Sequence, residues 1–445
     1  MADLQFAGDY ELEGIFAHAA STPVGGLDIK PLLLELNIYE SIFSPSITGS
    51  ITIADSQNHL QNVPFKGQEE LEFKLGISLD KIGRANEQID FSKHRMRVTK
   101  VSNVNRVEER QQVYTLNFTS RETLTNLRTS LNQIYKGTAD QIIQNVLQNN
   151  LKIQKRFRLE ETVDSLTLLG NRMKPFSFCT MVANKGSSKK YNDDQLYFFE
   201  NHRGYVLASI SGLADTEPQV KYYSAEGRAE DRNYAQDMER ILSYRVSKNQ
   251  DLIAHIATGL INSTQYTYDI NTKSYNKTEH SYFNEFNNTP HTSDKPFPIY
   301  TTQPESADGK ILDSFTSSVT KVSTTNSFLH TIDADDTIDY SNTTSKDQTR
   351  LFSRLNHDAL TVSVTVPGNS VLAAGDVVEL SLPSLEPISK AYDRTYDAYM
   401  SGKYIITNIV HTVSPTNYTT TFDCAKDSVD VPYVTSIEPV DPEIA

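Results

Sequence analysis

Four aspartates in one polar stretch come closest, by type and spacing, to a metal-binding site: Asp333, Asp335, Asp336 and Asp339. A calcium loop needs a glycine at its sharp turn and a bidentate glutamate about six residues further on. This stretch has neither, and Asn342 and Thr344 stand where the closing ligands should be. The pattern therefore predicts a solvated acidic turn and no metal site.

Motifs for catalysis are absent from the sequence. It contains no Gly-x-Ser-x-Gly elbow, no His-Glu-x-x-His and no Gly-x-x-x-x-Gly-Lys loop. The 10 histidines are scattered, and we interpret His202, in the turn 201–204, as an exposed turn residue. Glycoside hydrolysis needs two carboxylates with separated pKa values, but nothing selects one pair among 56 acidic residues. We predict no catalytic, cofactor-binding or metal-binding residue; a muramidase activity stays open but unsupported.

Composition indicates folded domains with a polar surface. The chain has 445 residues, 38% of them hydrophobic, and a prior of one domain per ~150 residues suggests about three domains. The net charge of −14 argues against a protein that grips nucleic-acid phosphates, but it suits an acidic wall past which DNA slides. The two cysteines, Cys179 and Cys424, lie beside apolar or aromatic neighbours, so we expect buried free thiols.

No segment suggests export or membrane insertion. The first residues lack a basic segment followed by an apolar one, so no signal peptide is expected. No apolar run approaches the roughly 18 residues of a spanning helix. We therefore expect a soluble product that is made in a cytoplasm.

The elements that would position any site are mainly β-strands. Alternating apolar residues predict two half-buried strands within residues 34–55, joined by residues 40–46. The alternating residues are Leu34, Leu36 and Ile38, then Ile47, Ile51 and Ile53. Gly49, inside the second run, suggests a bulge or a sharp bend. Similar alternation continues, and we predict an antiparallel barrel or sandwich over residues 1–120.

The pattern changes after residue 120. Thr138 is a suitable N-cap, and apolar residues follow it at helical spacing, which predicts a helix that begins at Ala139. A second helix is predicted at residues 176–183, after Pro175, and a hairpin at residues 195–210. We predict a small mixed α/β domain over residues 121–212.

The rest of the chain is predicted to form a second β region with an insertion. The second β region is discontinuous, from residues 213–262 and 347–430, with a short helix near residues 251–259. Residues 263–346 are rich in Ser, Thr and Asn, but eleven aromatic residues need burial or a partner, so we predict an ordered inserted domain. Residues 431–445 are expected to be a tail that frays or lies on a neighbour.

Two parts of the chain share a short pattern. Residues 98–101, Val-Thr-Lys-Val, precede a Tyr-Thr-x-x-Phe stretch at residues 114–118. Residues 406–409, Ile-Thr-Asn-Ile, precede another such stretch at residues 418–422. Two hairpins could share the pattern by chance because Thr and Tyr favour strands. The order of the surrounding elements favours an internal duplication instead.

Several stretches together resemble the central baseplate hub protein of contractile-tailed, T-even-like bacteriophages. They fall in the expected order and cover most of the chain, and the insertion at residues 263–346 matches least. The stretches are residues 38–45 with Thr48 and Gly49, 114–120 with Glu122, 198–201 with 204–205, 242–244 with Asp251 and Gly259, 366–369 with 374–378, and 401–406.

The resemblance implies a fold, an assembly and partners. Such hubs contain two tail-tube-like antiparallel β-barrels per chain, and three chains form a ring with pseudo-sixfold symmetry. The ring joins a hexameric tail tube to a trimeric puncturing spike and leaves a channel for DNA in transit. Implied partners are tube or tube-initiator proteins, a central spike protein with or without a lysozyme, baseplate wedge proteins and the tape measure protein. The implied location is the tail baseplate of a virion that is assembled in the host cytoplasm.

A similar first half also occurs in type VI secretion spike proteins, which continue into a long β-helix. This chain ends soon after its second β region, which favours a separate spike subunit. Two other classes stay open: a tail-associated wall hydrolase, and a host-binding adhesin that uses the polar, aromatic-bearing residues 263–346. We expect a structural protein and no enzyme.

Overall fold

The structure is a computed structural model. It describes residues 7–19, 22, 25–62, 65, 67–77, 88–163, 165–224, 234–249, 251–270, 273–282, 286–296, 319–325, 349–350, 353–354, 357, 359–384, 396–397 and 399–430. The acidic stretch Asp333–Asp339 and the tail at residues 431–445 therefore lie outside the described residues.

The described residues are mainly β-strands. In chain order the strands are β1 (Glu11–His18), β2 (Leu27–Asp28), β3 (Leu33–Ser41), β4 (Thr48–Asp55), β5 (Glu70–Gly76), β6 (Ile89–Asp90), β7 (Met96–Glu108), β8 (Gln111–Ser120), β9 (Ile134–Gly137), β10 (Phe157–Leu159), β11 (Leu166–Leu169), β12 (Leu196–Asn201), β13 (Gly204–Ser209), β14 (Val220–Ser224), β15 (Arg240–Ile241), β16 (Ser243–Asn249), β17 (Asn262–Asp269), β18 (Tyr275–Ser281), β19 (Lys295–Pro296), β20 (Val319–Thr325), β21 (Leu360–Pro367), β22 (Val377–Ser381), β23 (Gly402–Ser414), β24 (Asn417–Lys426) and β25 (Ser428–Val429).

The helices are short. They are α1 (His59–Asn62), α2 (Arg121–Arg128), α3 (Ala139–Asn145), α4 (Pro175–Ala183), α5 (Ile210–Ala214), α6 (Tyr234–Met238) and α7 (Leu252–Thr258), with 3-10 turns at Lys30–Leu32 and Phe286–Asn288 and a π-helical turn, Val146–Asn150, that continues α3. The predicted helices after Thr138 and at Pro175 are confirmed, and the Thr138 amide donates to Gln141 Oε1 at 3.4 Å. None of the helices in the described part of the chain is long and apolar enough to cross a membrane.

Strands β1–β8, which we call the first β unit, surround one hydrophobic core. Their pairing order is β3-β4-β8-β7-β5-β1-β2, with β6 beside β5. The alternating side chains of β5, including Leu71, Phe73 and Leu75, are fully buried in this core. The sheet ends at β2, so it is open among the described residues.

Strands β14–β16 and β21–β24, which we call the second β unit, surround a second core. Their pairing runs from β16 through β21, β24, β23, β22 and β14 to β15. The two ends of this sheet meet at Leu242, which links β15 to β16 without a ladder between them. The mainly β fold with large antiparallel sheets is confirmed, although no closed barrel is formed by strand pairs of the described residues.

The two β units repeat one five-strand arrangement. The order β3-β4-β8-β7-β5 in the first unit corresponds to β16-β21-β24-β23-β22 in the second, and the five strands follow one another along the chain in the same sequence. The four ladders also share their register. Equivalent pairs are Ile38–Gly49 and Val246–Val362, Gly49–Phe118 and Val362–Cys424, Val98–Phe118 and Ile406–Cys424, and Leu71–Met96 and Val378–Tyr404.

Threonine side chains mark the same positions in both copies. Thr52 Oγ1 lies 3.1 Å from Thr115 Oγ1 across the β4–β8 ladder, and Thr365 Oγ1 lies 3.1 Å from Thr421 Oγ1 across β21–β24. In the shared register these two cross-strand pairs are equivalent. Agreement of strand order, register and side-chain pairing supports the internal duplication predicted from the sequence.

The first part of the shared sequence pattern, residues 98–101 and 406–409, lies at equivalent positions in the two β units. Thr99 and Thr407 are the extra residues of β-bulges in β7 and β23. Their hydroxyls donate to the Asn117 and Asp423 carbonyl oxygens at 3.2 and 3.0 Å. The Tyr-Thr-x-x-Phe stretches, in contrast, are displaced from each other by two residues relative to these bulges. Because strands have a period of two, the displacement leaves each stretch on the same face of its sheet.

The opening strand pair is confirmed, with three corrections. A β-bulge between Leu33 and Glu35 reverses the alternation, so Leu34 is exposed and Leu33 is buried. Gly49 lies in a regular ladder and not at a bulge; a β-carbon there would lie 2.2 Å from the Phe118 ring. Glu40 belongs to β3 and not to the connection.

A mixed α/β unit lies between the two copies in sequence. Strands β10, β13 and β12 form a three-stranded sheet, β9 pairs with β11, and helices α3 and α4 pack on a third hydrophobic core. The predicted hairpin is β12–β13, with its turn at Asn201–Gly204. In the insertion, the described residues form a further sheet in the order β18-β17-β20. The domain boundaries themselves stay predictions.

Candidate functional site

The two β units meet through one strand ladder. Strand β3 pairs with the second half of β23, from Ser41 opposite Asn408 to Leu36 opposite Val413. In this way the sheet of the first unit continues into the sheet of the second. Backbone pairing of this kind fixes both the distance and the register between two sheets.

The tip of the β23–β24 hairpin extends into the first unit. Val413 and Tyr418 are fully buried in the core of the first β unit, although their strands belong to the second. The Tyr418 amide donates to the Gly8 carbonyl oxygen at 3.0 Å, and the Tyr10 hydroxyl donates to the Ser414 carbonyl oxygen at 2.7 Å. The junction is therefore part of a hydrophobic core and not a surface contact.

A buried polar cluster lies at this junction. Glu40 Oε1 accepts the His202 amide at 2.9 Å and lies 2.9 Å from His202 Nδ1, and Oε2 accepts the Ala374 amide at 3.2 Å. His411 Nδ1 lies 2.7 Å from the Tyr418 hydroxyl oxygen. Glu40 and His411 are both buried. The cluster links β3 to the β12–β13 turn and to the loop before β22.

Burial and hydrogen bonding together set the protonation of this cluster. Burial alone would raise the pKa of Glu40, but the charge and hydrogen bond of His202 and the hydrogen bond from the Ala374 amide hold it below its usual value. Burial lowers the pKa of His411 to about 4. The result is an ionised carboxylate beside an imidazole, His411, that is neutral near pH 7.

Donor atoms of Glu40, His202 and His411 lie within 4.8 Å of one another. Carboxylate and imidazole are ligand types that zinc uses. Both carboxylate oxygens, however, already accept backbone amides, as expected for a group that positions loops. We therefore interpret the cluster as a structural connection between the units.

A second connection joins the α/β unit to the first β unit. The fully buried Glu200 accepts the Ile47 amide at 3.1 Å and the Ser120 hydroxyl at 2.5 Å through Oε2. Its Oε1 accepts Lys155 Nζ at 2.6 Å, and Lys155 also donates to Glu122 Oε2 at 2.8 Å. Because a buried charge without a partner is costly, this set holds β12 against the end of β8.

A third contact joins the α/β unit to the second β unit. The Arg203 guanidinium donates to both carboxylate oxygens of Asp376, each at 2.8 Å, and it also donates to the Val371 carbonyl oxygen. This fork-to-fork geometry is specific to arginine. All three contacts use residues of the β12–β13 hairpin, which therefore lies at the centre of the junction.

The predictions for single residues had different outcomes. The interpretation of His202 as an exposed turn residue was wrong, since its side chain is 4% exposed and contacts Glu40. Cys179 and Cys424 are buried free thiols, as predicted. Sequence reasoning missed Glu40 and His411. Their signal was available, because each continues an alternating run of buried apolar residues.

No family model matches the sequence, and no curated protein matches it. Among the solved structures that match is the tail protein from Neisseria meningitidis MC58, with a TM-score of 0.53 and 10% identity over 94% of this chain and 97% of that one. Another is the 43 kDa tail protein of prophage MuSo2 from Shewanella oneidensis, with a TM-score of 0.52 and 9% identity over 94% and 100%.

A further match is the E. coli c3393 protein, a component of the type VI secretion system that is described as similar to the T4 tail proteins gp27 and gp5. Its TM-score is 0.41, with 10% identity over 94% of this chain and 77% of that one. At these identities the likeness concerns architecture. The chain shares its overall fold with the Neisseria and Shewanella tail proteins, along nearly the whole length of each.

Proposed function

We propose that the protein is a structural hub subunit of a contractile-tail baseplate. Three chains form a ring on the tail axis, join the hexameric tail tube to a trimeric spike, and surround a channel for DNA. The protein acts through its shape and its contacts, without catalysis. Its proposed neighbours are the tube or tube-initiator proteins, the spike, the wedge proteins and the tape measure protein.

The repeated five-strand arrangement is the observation that carries this proposal. A closed ring of identical subunits has the symmetry of its subunit number. A chain with two equivalent β units presents two similar surfaces, so three chains present six. Such a ring can match a hexameric partner on one face and keep true threefold symmetry on the other.

Two further observations support a role in a tail. The shared fold with two tail proteins covers almost the whole chain. The net charge of −14 would repel a passing polyphosphate and not retain it. Lumen-facing strands lined mainly by Lys and Arg would contradict the proposed passage of DNA.

The native mass of the purified chain tests this proposal. We expect a trimer of about 150 kDa, three times the 50.0 kDa of the chain, by light scattering coupled to size exclusion. We also expect no clearing of purified peptidoglycan, with lysozyme as the positive control. A stable monomer or dimer would contradict the ring, and lysis by the isolated chain would contradict the non-enzymatic role.

A further inference from the structure

Strands β7 and β16 each have an edge that no other described strand covers. From Lys100 onward, β7 pairs with β8 alone, because its ladder with β5 stops at Arg97. Strand β16 pairs with β21 alone. A strand edge with unpaired amides and carbonyls is a template for another strand, and proteins usually cover or disrupt it.

These two edges are the counterparts of the strands that form the junction. In the repeat, β7 corresponds to β23 and β16 corresponds to β3. Within the chain, β23 of the second unit pairs with β3 of the first. The corresponding ladder would join β7 of a first unit to β16 of a second unit. It does not form within the described part of one chain, so both strands are available for an equivalent ladder with another chain.

The register of the missing ladder follows from the equivalences. Val101 corresponds to Ile409, which faces Glu40, and Glu40 corresponds to Asn249. At the other end, Arg106 corresponds to Val413, which faces Leu36, and Leu36 corresponds to Tyr244. The equivalences therefore place Val101 opposite Asn249 and Arg106 opposite Tyr244.

Matching irregularities support this register. Compared with β23, β7 contains one extra residue between Ser102 and Asn105. Compared with β3, β16 contains one extra residue between Val246 and Lys248. The two extra residues face each other in the proposed ladder. Residues 101–106 and 244–249 can therefore pair one to one, without a shift.

Exposure distinguishes these edges from their counterparts. Val104 is 51% exposed and Tyr244 is 39% exposed, whereas Leu36, the counterpart of Tyr244, is fully buried at the junction. Val104 would lie opposite Val246, a half-buried valine of the second core. An apolar cross-strand pair of this kind contributes to sheet stability.

We propose that copies of this chain join by antiparallel pairing of residues 101–106 of one copy with residues 244–249 of the next. The partner is a second copy of the same chain, and three such ladders would alternate with three internal β3–β23 junctions around a ring. The inference rests on the proposed trimer, and it adds the strands and the register through which the trimer closes.

Cysteine pairs test the register in the full chain. Under mild oxidation, Asn105→Cys/Arg245→Cys and Val104→Cys/Val246→Cys place thiols directly opposite each other, where β-carbons are about 5 Å apart. Two pairs are needed because facing positions alternate between wide and close spacing. The matched control, Asn105→Cys/Ser243→Cys, moves one thiol two residues along the same face. The two native cysteines, Cys179 and Cys424, are buried and are retained in every variant.

We expect covalent dimers and trimers of about 100 and 150 kDa on non-reducing gels, two and three times 50.0 kDa, from at least one facing pair. The control should stay at the monomer position, although all variants keep a trimeric native mass. If the native mass is trimeric but neither facing pair forms a cross-link, the proposed register is wrong and the hub proposal stands. The same conclusion follows if the control cross-links as much as the facing pairs. A monomeric mass for the unmodified chain overturns both.

Hydrogen exchange on the unmodified chain gives an independent readout. In the trimer, amides within residues 101–106 and 244–249 should exchange more slowly than those of the hairpin tip at residues 109–110. Dilution to a monomer should remove this protection from both segments together. Protection that is absent in the trimer, or that survives in the monomer, contradicts the pairing.

Discussion

Glu40 and His411 show how single polar residues hold the junction. Each lies on the core side of its strand, Glu40 between Ile38 and Ile42, and His411 between Ile409 and Val413. Buried polar groups are stable only when hydrogen-bonded. The partners of Glu40, the His202 and Ala374 amides, come from the neighbouring units, so the junction must form for this carboxylate to be satisfied. His411 lies beside it and is hydrogen-bonded within its own hairpin, to Tyr418.

The low pKa of His411 predicts a pH-dependent stability. Its pKa is about 4 in the folded chain, against an ordinary value of 6.5. As the pH falls from 6.5 toward 4, the unfolded chain binds a proton that the folded chain excludes. Folding should therefore lose up to about 3 kcal/mol over this interval. The pKa of Glu40 is also held below its usual value in the folded chain, so acidification near that value acts in the same direction.

Urea unfolding at pH 7, 5.5 and 4.5 measures this loss, with His411→Asn as the control. The asparagine side chain at this position cannot titrate, so the stability of the variant should decline less steeply with falling pH than that of the unmodified chain. Equal slopes for the two proteins would show that His411 is not the group responsible.

At the residue scale, sequence reasoning located strands better than it identified polar residues in the core. The turn that contains His202 was predicted correctly, but turn position did not reveal that Glu40 lies beneath it. Glu40 could have been identified from the run Leu36, Ile38, Glu40 and Ile42. The identity of its partners could not, because they come from residues more than 150 positions away.

At the element scale, the β7–β8 and β23–β24 hairpins have the same strand structure but lie in different environments. Both contain a bulge with a threonine, at Thr99 and Thr407, whose hydroxyl bonds across the ladder. The second hairpin ends in the core of the first unit, and the first hairpin ends in solvent within the described chain. One unit therefore depends on the other for its packing.

A substitution at the tip of the second hairpin tests this dependence. Val413→Ala removes two methyl groups from the core of the first unit, and we expect a loss of roughly 2 kcal/mol in the free energy of unfolding. The control Val107→Ala alters an exposed valine of the first hairpin, where a change within about 0.5 kcal/mol is expected. Equal effects in chemical denaturation would contradict a shared core.

Period-two alternation predicted most strands because it depends only on local sequence. It did not predict where a bulge interrupts the period, as at Leu34. It also misassigned Gly49, whose small size makes room for the Phe118 ring. The β3–β23 ladder was beyond prediction, because pairing between strands so distant in sequence depends on the packing of complete units.

At the scale of the whole molecule, the repeat is the feature that the sequence indicated and the structure extends. A four-residue echo around Thr99 and Thr407 proved to mark a match of five strands in order and register. The α/β unit and the insertion have no counterpart in the repeat. In the proposed ring, they are the parts through which a threefold face would differ from a sixfold one.

The most direct test of the account is a cryo-electron microscopy reconstruction of the purified assembly, calculated without imposed symmetry. We expect an axial ring of three chains in which six five-strand motifs lie at one radius, spaced by about 60°. Internal and intermolecular junctions should alternate around that ring. A different number of chains, or two motifs at unequal radii, would contradict the account.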